Sequence, residues 1–378
     1  MHPCRVAIIF GTRPETIKIA PIALRMQQSP HFTPVLVATA QHRELLDQVA
    51  DIFHLQLDAD LNIMQVNQSL FDIVKRILHT LPPVIESIHP DWILVQGDTT
   101  TAFASALVAA YLQIPLAHIE AGLRTHDKRQ PFPEELNRRL ISPMADLHFS
   151  PTHLARKNLL DENVPDEHIH VTGNTVIDAL DIILQRTRPQ LPEFLHRNAH
   201  KRLLLVTVHR RENWGEPIRH ICRALKTIMA DNPDVLIVFS VHPNPIVRSL
   251  VLQELGDISR THLLPPLDYP SFIHLMSQAE LILTDSGGIQ EEAPSLGKPV
   301  LVLREVTERP EGVAAGVLKL VGVQETAIVE SVNQLLHHPH LYNAMSERQN
   351  PYGDGHAAER ILNILQTSHP CSASRKTT

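Results

Sequence analysis

The sequence has few cysteines and few aromatic residues. Its three cysteines, Cys4, Cys222 and Cys371, form no CxxC pair and cannot all be joined in disulfides. This count excludes a disulfide scaffold and favours a reducing compartment, so we predict a cytoplasmic protein. Aromatic residues make up 4% of the chain, so leucine, isoleucine, valine and alanine must fill its core.

Several kinds of segment that would mark other protein classes are also missing. The net charge is −7 and no basic stripe stands out, so we expect no nucleic-acid partner. No apolar run approaches the roughly 20 residues of a membrane span, and the chain enters a strand without a signal peptide, so we expect no membrane partner.

Two apparent cofactor motifs carry little weight. Residues 353–358 match GxGxxA but follow no predicted strand, which is where a dinucleotide fingerprint belongs. The histidines of residues 337–340 have no carboxylate or cysteine neighbours to complete a metal site. No HExxH, Walker A or GxSxG motif is present. The sequence therefore predicts that the protein uses neither a cofactor nor a metal.

What the sequence does contain is a regular alternation of short apolar strands with amphipathic helices. This pattern predicts an α/β fold with parallel sheets that are covered on both faces. The alternation restarts after Gly173, and 378 residues are enough for two domains. We predict doubly wound domains over residues 1–173 and 174–354, and a frayed tail over residues 369–378. The predicted strands cover residues 6–10, 35–39, 92–95, 116–119, 147–150, 169–172, 203–208, 235–241, 262–264, 281–283 and 300–303. The predicted helices cover residues 14–27, 44–53, 70–78, 99–111, 134–145, 175–185, 216–230, 246–255, 271–279, 289–296 and 355–365.

The most informative stretch is Ser286-Gly287-Gly288, between the predicted strand 281–283 and a predicted helix over 289–296. Glycines let a backbone approach a ligand closely, and free N–H groups at a helix start attract a phosphate. Glu292 lies one turn into this helix, where a carboxylate accepts hydrogen bonds from a ribose diol. Taken alone, the stretch is more often an ordinary capped turn.

Charged side chains also follow other predicted strands. Arg13 and Lys18 come after the first strand and can reach a phosphate, or they are surface charges. Asp98 is a favoured type of helix cap, and Glu134 is an acid in a first helical turn, so both have structural explanations. Glu120 at a strand end is harder to explain by packing, because glutamate is rarely buried without a partner.

Cations complete the pattern in the second half. His209 and Arg210 follow a strongly apolar strand, and Arg304 and Arg309 flank the loop after the last predicted strand. The two arginines either clamp a diphosphate or form surface salt bridges.

Together these motifs resemble the non-hydrolysing UDP-N-acetylglucosamine 2-epimerases over residues 6–365. The resemblance implies the GT-B architecture, with two doubly wound Rossmann-like domains, the nucleotide in an interdomain cleft, and a C-terminal helix at about 355–366 that packs back on the first domain. It also implies a homodimer. The motifs that carry it are Gly11–Glu15, Gln41–Glu44, Gly97–Thr100, His118–Arg124, Gly173–Asp178, His209–Asn213, Asp285–Ser295 and Asn350–Gly355.

The activity that the resemblance implies is reversible inversion at C2 of UDP-N-acetylglucosamine, giving UDP-N-acetylmannosamine. Elimination of UDP to a 2-acetamidoglucal-type intermediate, followed by its re-addition, needs an anion cradle and acid/base groups on both faces of C2. On this basis the cradle is Ser286, Gly287 and Gly288, assisted by Arg13, Lys18 and His209, while Glu292 binds the ribose and Arg309 the nucleotide. Asp98 and Glu134 are expected to transfer protons, and Glu120 positions or shares one; His209 is included among the catalytic residues.

Some members of this family are activated by a second substrate molecule. Gln41, His42, Arg210 and His242 match the positions associated with it. Glu44 and Asn67 depart from the pattern, which has glutamine and arginine there. Loss of an arginine removes a bidentate phosphate donor, so the resemblance leaves substrate activation open here.

Three other functions remain open from the sequence. A hydrolysing 2-epimerase shares the elimination but releases N-acetylmannosamine and UDP. A GT-B glycosyltransferase needs an acceptor and no C2 base, so the acidic residues argue against it. A catalytically silent nucleotide-sugar sensor should lack some of those acids, and none is missing.

Overall fold

The computed structural model describes residues 2–40, 43–65 and 68–368. The tail predicted to be frayed, residues 369–378, lies outside them. The chain divides into two compact units. One runs up to Ala179 and resumes at Tyr352, and the other covers Leu180–Pro351. Within the described ranges, no helix is both long enough and apolar enough to cross a membrane.

Strands and helices alternate along the described chain. The strands are β1 (Cys4–Phe10), β2 (Phe32–Ala38), β3 (Ala59–Asp60), β4 (Trp92–Gln96), β5 (Leu116–Ile119), β6 (Leu147–Ser150), β7 (Ile169–Val171), β8 (Arg202–Val208), β9 (Val235–Val241), β10 (Thr261–Leu264), β11 (Leu281–Thr284), β12 (Val300–Val302) and β13 (Leu318–Leu320). The α-helices are α1 (Arg13–Gln28), α2 (Arg43–Phe53), α3 (Leu70–Ile88), α4 (Thr100–Tyr111), α5 (Glu134–Ile141), α6 (His153–Asp161), α7 (Thr175–Arg186), α8 (Glu193–Arg197), α9 (Glu216–Asp231), α10 (Pro245–Leu255), α11 (Tyr269–Gln278), α12 (Gly287–Glu292), α13 (Pro310–Ala315), α14 (Glu325–His337), α15 (Pro339–Ser346) and α16 (Ala357–Thr367).

The first unit contains a parallel sheet in the order β3-β2-β1-β4-β5-β6-β7. The chain winds outward from β1 in both directions, and β1 and β4 are almost wholly apolar and buried. This confirms the predicted α/β class. Because the strands are parallel, β1, β4 and β5 all end at one edge, which places Gly11, Gly97 and Glu120 there.

The second unit repeats this plan with a parallel sheet in the order β10-β9-β8-β11-β12-β13. Its core packs the apolar faces of helices such as α9 and α14 against the central strands. Thr207 pairs with Thr284, so β8 and β11 end side by side. The segments that begin at His209 and Asp285 therefore leave the sheet next to each other.

The helix that follows residue 69 is longer than predicted. The prediction ended it at Leu78, but α3 continues to Ile88 through Pro82 and Pro83. Prolines each remove a helical hydrogen bond, which is why the sequence suggested an earlier end. Leu81 and Ile85 extend a row of buried residues that recurs every four positions along the helix. Their burial favours a helix that continues past the prolines.

Other element boundaries also differ from the prediction. The helix predicted over residues 134–145 ends at Ile141 and is followed by a 3-10 turn. The helix predicted over residues 289–296 begins at Gly287, and its last residues form a 3-10 turn that Gly297 ends in a left-handed conformation. The prediction also missed the strands β3 and β13 and the helices α6, α8, α13, α14 and α15.

The C-terminal helix α16 packs against α1 in the first unit. Its first turn is capped by Asp178, whose carboxylate accepts the N–H groups of Ala357 (3.2 Å) and Ala358 (2.9 Å). Burial raises the pKa of Asp178. Gly173 and Gly353 cross nearby with positive φ, and a Cβ on Gly173 would lie 3.2 Å from the Cα of Gly353. Only glycine suits such a crossing.

Candidate active site

Asp285 is the centre of the polar cluster in the second unit. Its fully buried carboxylate accepts the backbone N–H of His209 at 3.1 Å, the N–H of Arg210 at 2.9 Å and Nδ2 of Asn213 at 2.9 Å. Burial acts to raise the pKa of Asp285, but the contacts with His209, Arg210 and Asn213 outweigh it and hold the pKa below its usual range. The group is therefore an anion that ties the end of β8 to the end of β11.

The imidazole of His209 is held by the same carboxylate. Its Nδ1 lies 2.9 Å from Oδ1 of Asp285, and 45% of the side chain remains exposed. A hydrogen bond at Nδ1 fixes the orientation of the ring and leaves Nε2 for another partner. The pair has the arrangement of a histidine that is oriented by a buried acid.

Ser286, Gly287 and Gly288 form the start of α12, as the sequence predicted. Ser286 is the N-cap residue, and its N–H is donated to Oγ1 of Thr284 at 3.0 Å. A Cβ added to Gly287 would lie 3.9 Å from Nη2 of Arg309 and 4.0 Å from Nη2 of Arg210. Two guanidinium groups thus flank the helix start, where backbone N–H groups lack helical partners, and the combination suits a diphosphate.

Acidic side chains hold these cations in place. Arg309 pairs with the buried Glu291, and Nη1 of Arg210 lies 3.1 Å from Glu308. Arg304 instead pairs with Glu212 at 2.8 Å, which is the salt-bridge alternative that the sequence left open. Arginines that are fixed by partners lose less conformational freedom when they bind an anion.

Glu292 lies at the end of α12 and is buried. Its Oε1 accepts the hydroxyl hydrogen of Tyr269 at 2.7 Å. Tyr269 opens α11, so this bond joins the ends of two helices. It orients the carboxylate that the sequence assigned to a ribose.

Glu120 is the centre of the first unit's cluster. It has φ of +65°, which is unusual for a residue other than glycine and marks local strain. Its carboxylate contacts Nζ of Lys18 at 2.5 Å, Nδ2 of Asn174 at 2.9 Å and Nε2 of Gln96. Lys18, which was predicted to bind phosphate, thus forms a salt bridge with Glu120. Glu120 has the buried partner that the sequence led us to expect.

Asp98 is held by α5, the helix that begins at Glu134. Arg138 pairs with the carboxylate of Asp98 and, at 3.2 Å, with Glu135. Asn137 donates Nδ2 to the backbone oxygen of Asp98 at 2.9 Å. Glu134 is the first residue of the same helix and lies one turn before Arg138, so it shares that helix face.

Glu15 connects Arg13 to this cluster. It is buried, and it accepts the N–H groups of Gly11 (3.0 Å) and Thr12 (2.8 Å) and the hydroxyl of Thr99 (2.6 Å). Burial raises the pKa of Glu15. The turn before Arg13, the first residue of α1, is therefore fixed beside the end of β4, where Asp98 lies.

Comparison with known proteins identifies the family. A family model described as UDP-N-acetylglucosamine 2-epimerase matches residues 24–366. The UDP-N-acetylglucosamine 2-epimerase of Salmonella typhimurium is 51% identical over 370 residues, covering 96% of this chain and 98% of that protein. The chain belongs to the UDP-N-acetylglucosamine 2-epimerase family. This confirms the resemblance that the motifs indicated.

Solved structures of the epimerase family share the whole fold. The Neisseria meningitidis UDP-GlcNAc 2-epimerase, crystallised with UDP-GlcNAc, superposes with a TM-score of 0.85 at 46% identity, covering 96% of this chain and 100% of that one. The Methanocaldococcus jannaschii enzyme in complex with UDP-GlcNAc and UDP gives a TM-score of 0.77 at 33% identity, with coverages of 96% and 100%. These matches confirm the GT-B class predicted for this epimerase family member.

The residues predicted for a second substrate molecule are only partly described. Gln41, His42 and Asn67 lie outside the described residues, and so does the side chain of Glu44. Arg210 lies beside Gly287 at the cradle. His242 follows β9, and its Nδ1 accepts the N–H of Asn244 at 3.2 Å.

The structure adds residues that the sequence did not select. Asp285, Asn213 and Tyr269 each hold a predicted site residue or its loop. Asp285 and Asn213 belong to the motifs quoted above, but only the pairing of β8 with β11 shows that they meet.

Within the described ranges, no group of three or more histidine, cysteine or acidic residues is arranged to hold a metal ion. His337 of the histidine tract contacts Asn232 at 2.8 Å.

Proposed function

We propose that this protein interconverts UDP-N-acetylglucosamine and UDP-N-acetylmannosamine without hydrolysing them. The observation that carries the proposal is the cradle at Gly287, where two guanidinium groups flank a Ser-Gly-Gly helix start. It occurs in a chain that is about half identical to the Salmonella epimerase. The bound ligand of the Neisseria structure supports UDP-N-acetylglucosamine as the substrate.

The second unit holds the UDP part of this substrate. Gly287 and Gly288 bind the diphosphate through backbone N–H groups and Ser286 binds it through its hydroxyl, while Arg309 adds positive charge. Glu292, oriented by Tyr269, accepts the ribose hydroxyls. These contacts stabilise negative charge where it grows as UDP leaves.

The chemistry is an elimination followed by its reverse. The C2–H bond is not beside a carbonyl, so its direct deprotonation is unfavourable. When the C1–O bond breaks, its electron pair goes to the β-phosphate of UDP, and the C2–H pair forms the C1–C2 double bond. One carboxylate takes the proton, a second acid protonates C2 from the other face, and UDP adds again at C1 to give the epimer. The two acid/base groups then return to their starting states by proton exchange with solvent, so the cycle balances.

The first unit supplies the acid/base groups. Asp98 and Glu134 transfer protons at C2, while Glu120, held by Lys18, positions or shares a proton. Arg138 pairs with the carboxylate of Asp98 and fixes its position. We also assign Arg13 and Lys18 to phosphate binding, with His209 assisting from the end of β8.

We also propose that the enzyme is a cytoplasmic homodimer. The cytoplasm suits three cysteines without a CxxC motif. Exposed apolar side chains on the first unit support self-association: Phe71 is 87% exposed and Phe132 60%, and both line a groove of about 1010 Å³ beside α3. Light scattering should give a dimer mass for the wild type and a smaller mass for Phe71→Glu. Tyr111→Glu is the control, and a monomeric wild type would contradict the proposal.

Proton NMR in D2O tests the activity. The purified protein should convert UDP-N-acetylglucosamine to UDP-N-acetylmannosamine without added NAD or metal, with loss of the C2 proton signal. Asp98→Asn combined with Glu134→Gln should abolish the exchange, and the exposed Glu86→Gln should leave it intact. Free N-acetylmannosamine would indicate the hydrolysing reaction instead. An unchanged spectrum despite binding would favour a transferase or a sensor.

A further inference from the structure

We propose that Asp285 is a positioning residue for catalysis, which holds His209 with its Nδ1 protonated and its Nε2 directed to the leaving diphosphate. This inference rests on the proposed function. Its basis is geometric: the buried carboxylate contacts both the imidazole and the backbone N–H of His209. It also precedes Ser286, the first residue of the cradle, so one side chain connects the imidazole to the anion site.

The two oxygens of Asp285 have different partners. Oδ1 contacts Nδ1 of His209. Oδ2 accepts the N–H of Arg210 and Nδ2 of Asn213, both at 2.9 Å. The N–H of His209 lies 3.1 Å from either oxygen. Every one of these partners except the imidazole nitrogen is a fixed donor, so the cluster requires an anion that accepts on both oxygens.

The contact between Nδ1 and Oδ1 limits the protonation states that the imidazole can adopt. With Nδ1–H bonded to Oδ1, the ring either is neutral with a lone pair on Nε2 or carries a positive charge with N–H at both positions. A lone pair repels a phosphate, and the charged form donates to it. In both forms Nδ1–H is donated to Oδ1 of Asp285, so the contact keeps the ring in place when Nε2 carries a hydrogen. Asp285 thus allows His209 to present a cation to the β-phosphate when negative charge grows there.

Asp285→Asn separates this role from simple packing, because the two side chains have almost the same shape. The amide oxygen must take the Oδ2 position, where two fixed donors meet it. The NH2 group then faces Nδ1 of His209, which has to become an acceptor. The ring shifts to the Nε2–H tautomer and loses its stabilised positive charge, as happens when an asparagine replaces the acid of a catalytic triad.

Kinetics provide the first test. Asp285→Asn should lower kcat about 100-fold, the size of effect expected for one lost stabilising donor, while KM changes less than about 10-fold. Asp257→Asn, an exposed change of the same chemistry in the same unit, is the matched control. In a His209→Gln background, Asp285→Asn should have little further effect on kcat. Equal and independent losses would mean that Asp285 acts on the fold rather than through His209.

The histidine tautomer, compared between the wild type and Asp285→Asn, provides a second test, which needs no measurement of activity. In protein labelled with 15N at histidine, the signals absent from His209→Gln belong to His209. In spectra of the neutral ring, the wild type should show the Nδ1–H tautomer. Asp285→Asn should show the Nε2–H tautomer.

The outcomes separate this inference from the proposed function. A wild type without epimerase activity overturns the proposed function. An active wild type whose His209 has the Nε2–H tautomer, or an Asp285→Asn variant with unchanged kcat, overturns the positioning role alone.

Discussion

Replacing His118 by glutamine should make the first unit more resistant to acid. His118 is fully buried in β5, and its Nε2–H is donated to the carbonyl oxygen of Gly97 at 2.7 Å, next to Asp98. Burial lowers the pKa of His118 from its ordinary 6.5 to about 4. The folded protein therefore keeps this imidazole neutral over a pH range in which the unfolded chain protonates it.

The size of the effect follows from that difference in pKa. A change from 6.5 to about 4 corresponds to about 3 kcal/mol, at about 1.4 kcal/mol per pKa unit. Because the folded-state pKa is depressed, this stability is fully present above pH 6.5 and is lost as the pH falls towards 4. Glutamine does not titrate, and its amide N–H can still be donated to Gly97. We expect the His118→Gln substitution to cost about 1–2 kcal/mol at neutral pH and to remove the loss in acid.

A neighbouring histidine adds to the acid sensitivity of the wild type. His148 pairs with His118 across β5 and β6, and burial lowers its pKa to about 3. The drop in wild-type stability between neutral pH and pH 4 should therefore exceed the contribution of His118. The difference between the wild type and His118→Gln isolates that contribution. Positive charge on His118 also lowers the pKa of His148. Replacing His118 removes this charge, which also reduces the loss of stability in acid.

Tryptophan fluorescence can follow the first unit alone. The chain has two tryptophans, and Trp92 lies in β4, next to β5. In a Trp214→Phe background, Trp92 reports urea unfolding of this unit, and the free energy is extrapolated to water at each pH. The wild-type background and the His118→Gln protein should diverge by about 3 kcal/mol in their pH dependence. Parallel pH dependences from 6.5 down to 4 would refute the reasoning.

Three further substitutions test separate contacts. Tyr269→Phe removes the hydroxyl that orients Glu292, so KM for UDP-N-acetylglucosamine should rise about 10-fold with kcat nearly unchanged; a loss in kcat alone would contradict this role in steady-state kinetics. Asp178→Ala removes the cap of α16 and should cost the first unit about 1–2 kcal/mol in urea unfolding, whereas no change would show that the cap is dispensable. Arg138→Met unpairs Asp98 and should slow C2–H exchange in D2O about 100-fold, and wild-type exchange would exclude a role for the pair.

Of the strands that the structure describes, the sequence predicted all except β3 and β13, because the signals of the longer strands are local. The run Val235–Val241 is an almost fully buried parallel strand, and the prediction matched it residue for residue. The end of α3 was predicted wrongly, because the local signal of Pro82 and Pro83 opposed the burial of Leu81 and Ile85. That burial depends on neighbouring helices, which one segment of sequence cannot show.

The site, too, was only partly predictable from the sequence: its local motif was found, and its long-range contacts were not. Ser286, Gly287 and Gly288 carry a local signature, a strand followed by glycines and a helix start. The bond between His209 and Asp285 joins residues that are 76 positions apart, and Lys18 meets Glu120 across 102. Such contacts depend on strand order, so residue types alone do not reveal them. The positive φ of Glu120 likewise appears only in the folded backbone.

A positional isotope experiment tests the central claim, inversion by elimination and re-addition, most directly. UDP-N-acetylglucosamine carrying 18O in the C1–O–P bridge is incubated with the enzyme in D2O and followed by 31P NMR. We predict that 18O spreads to non-bridging positions of the β-phosphate while deuterium enters C2, because free UDP re-adds through any of its equivalent oxygens. Inversion at C2 with the label still in the bridge would show that the C1–O bond stays intact and would contradict the mechanism.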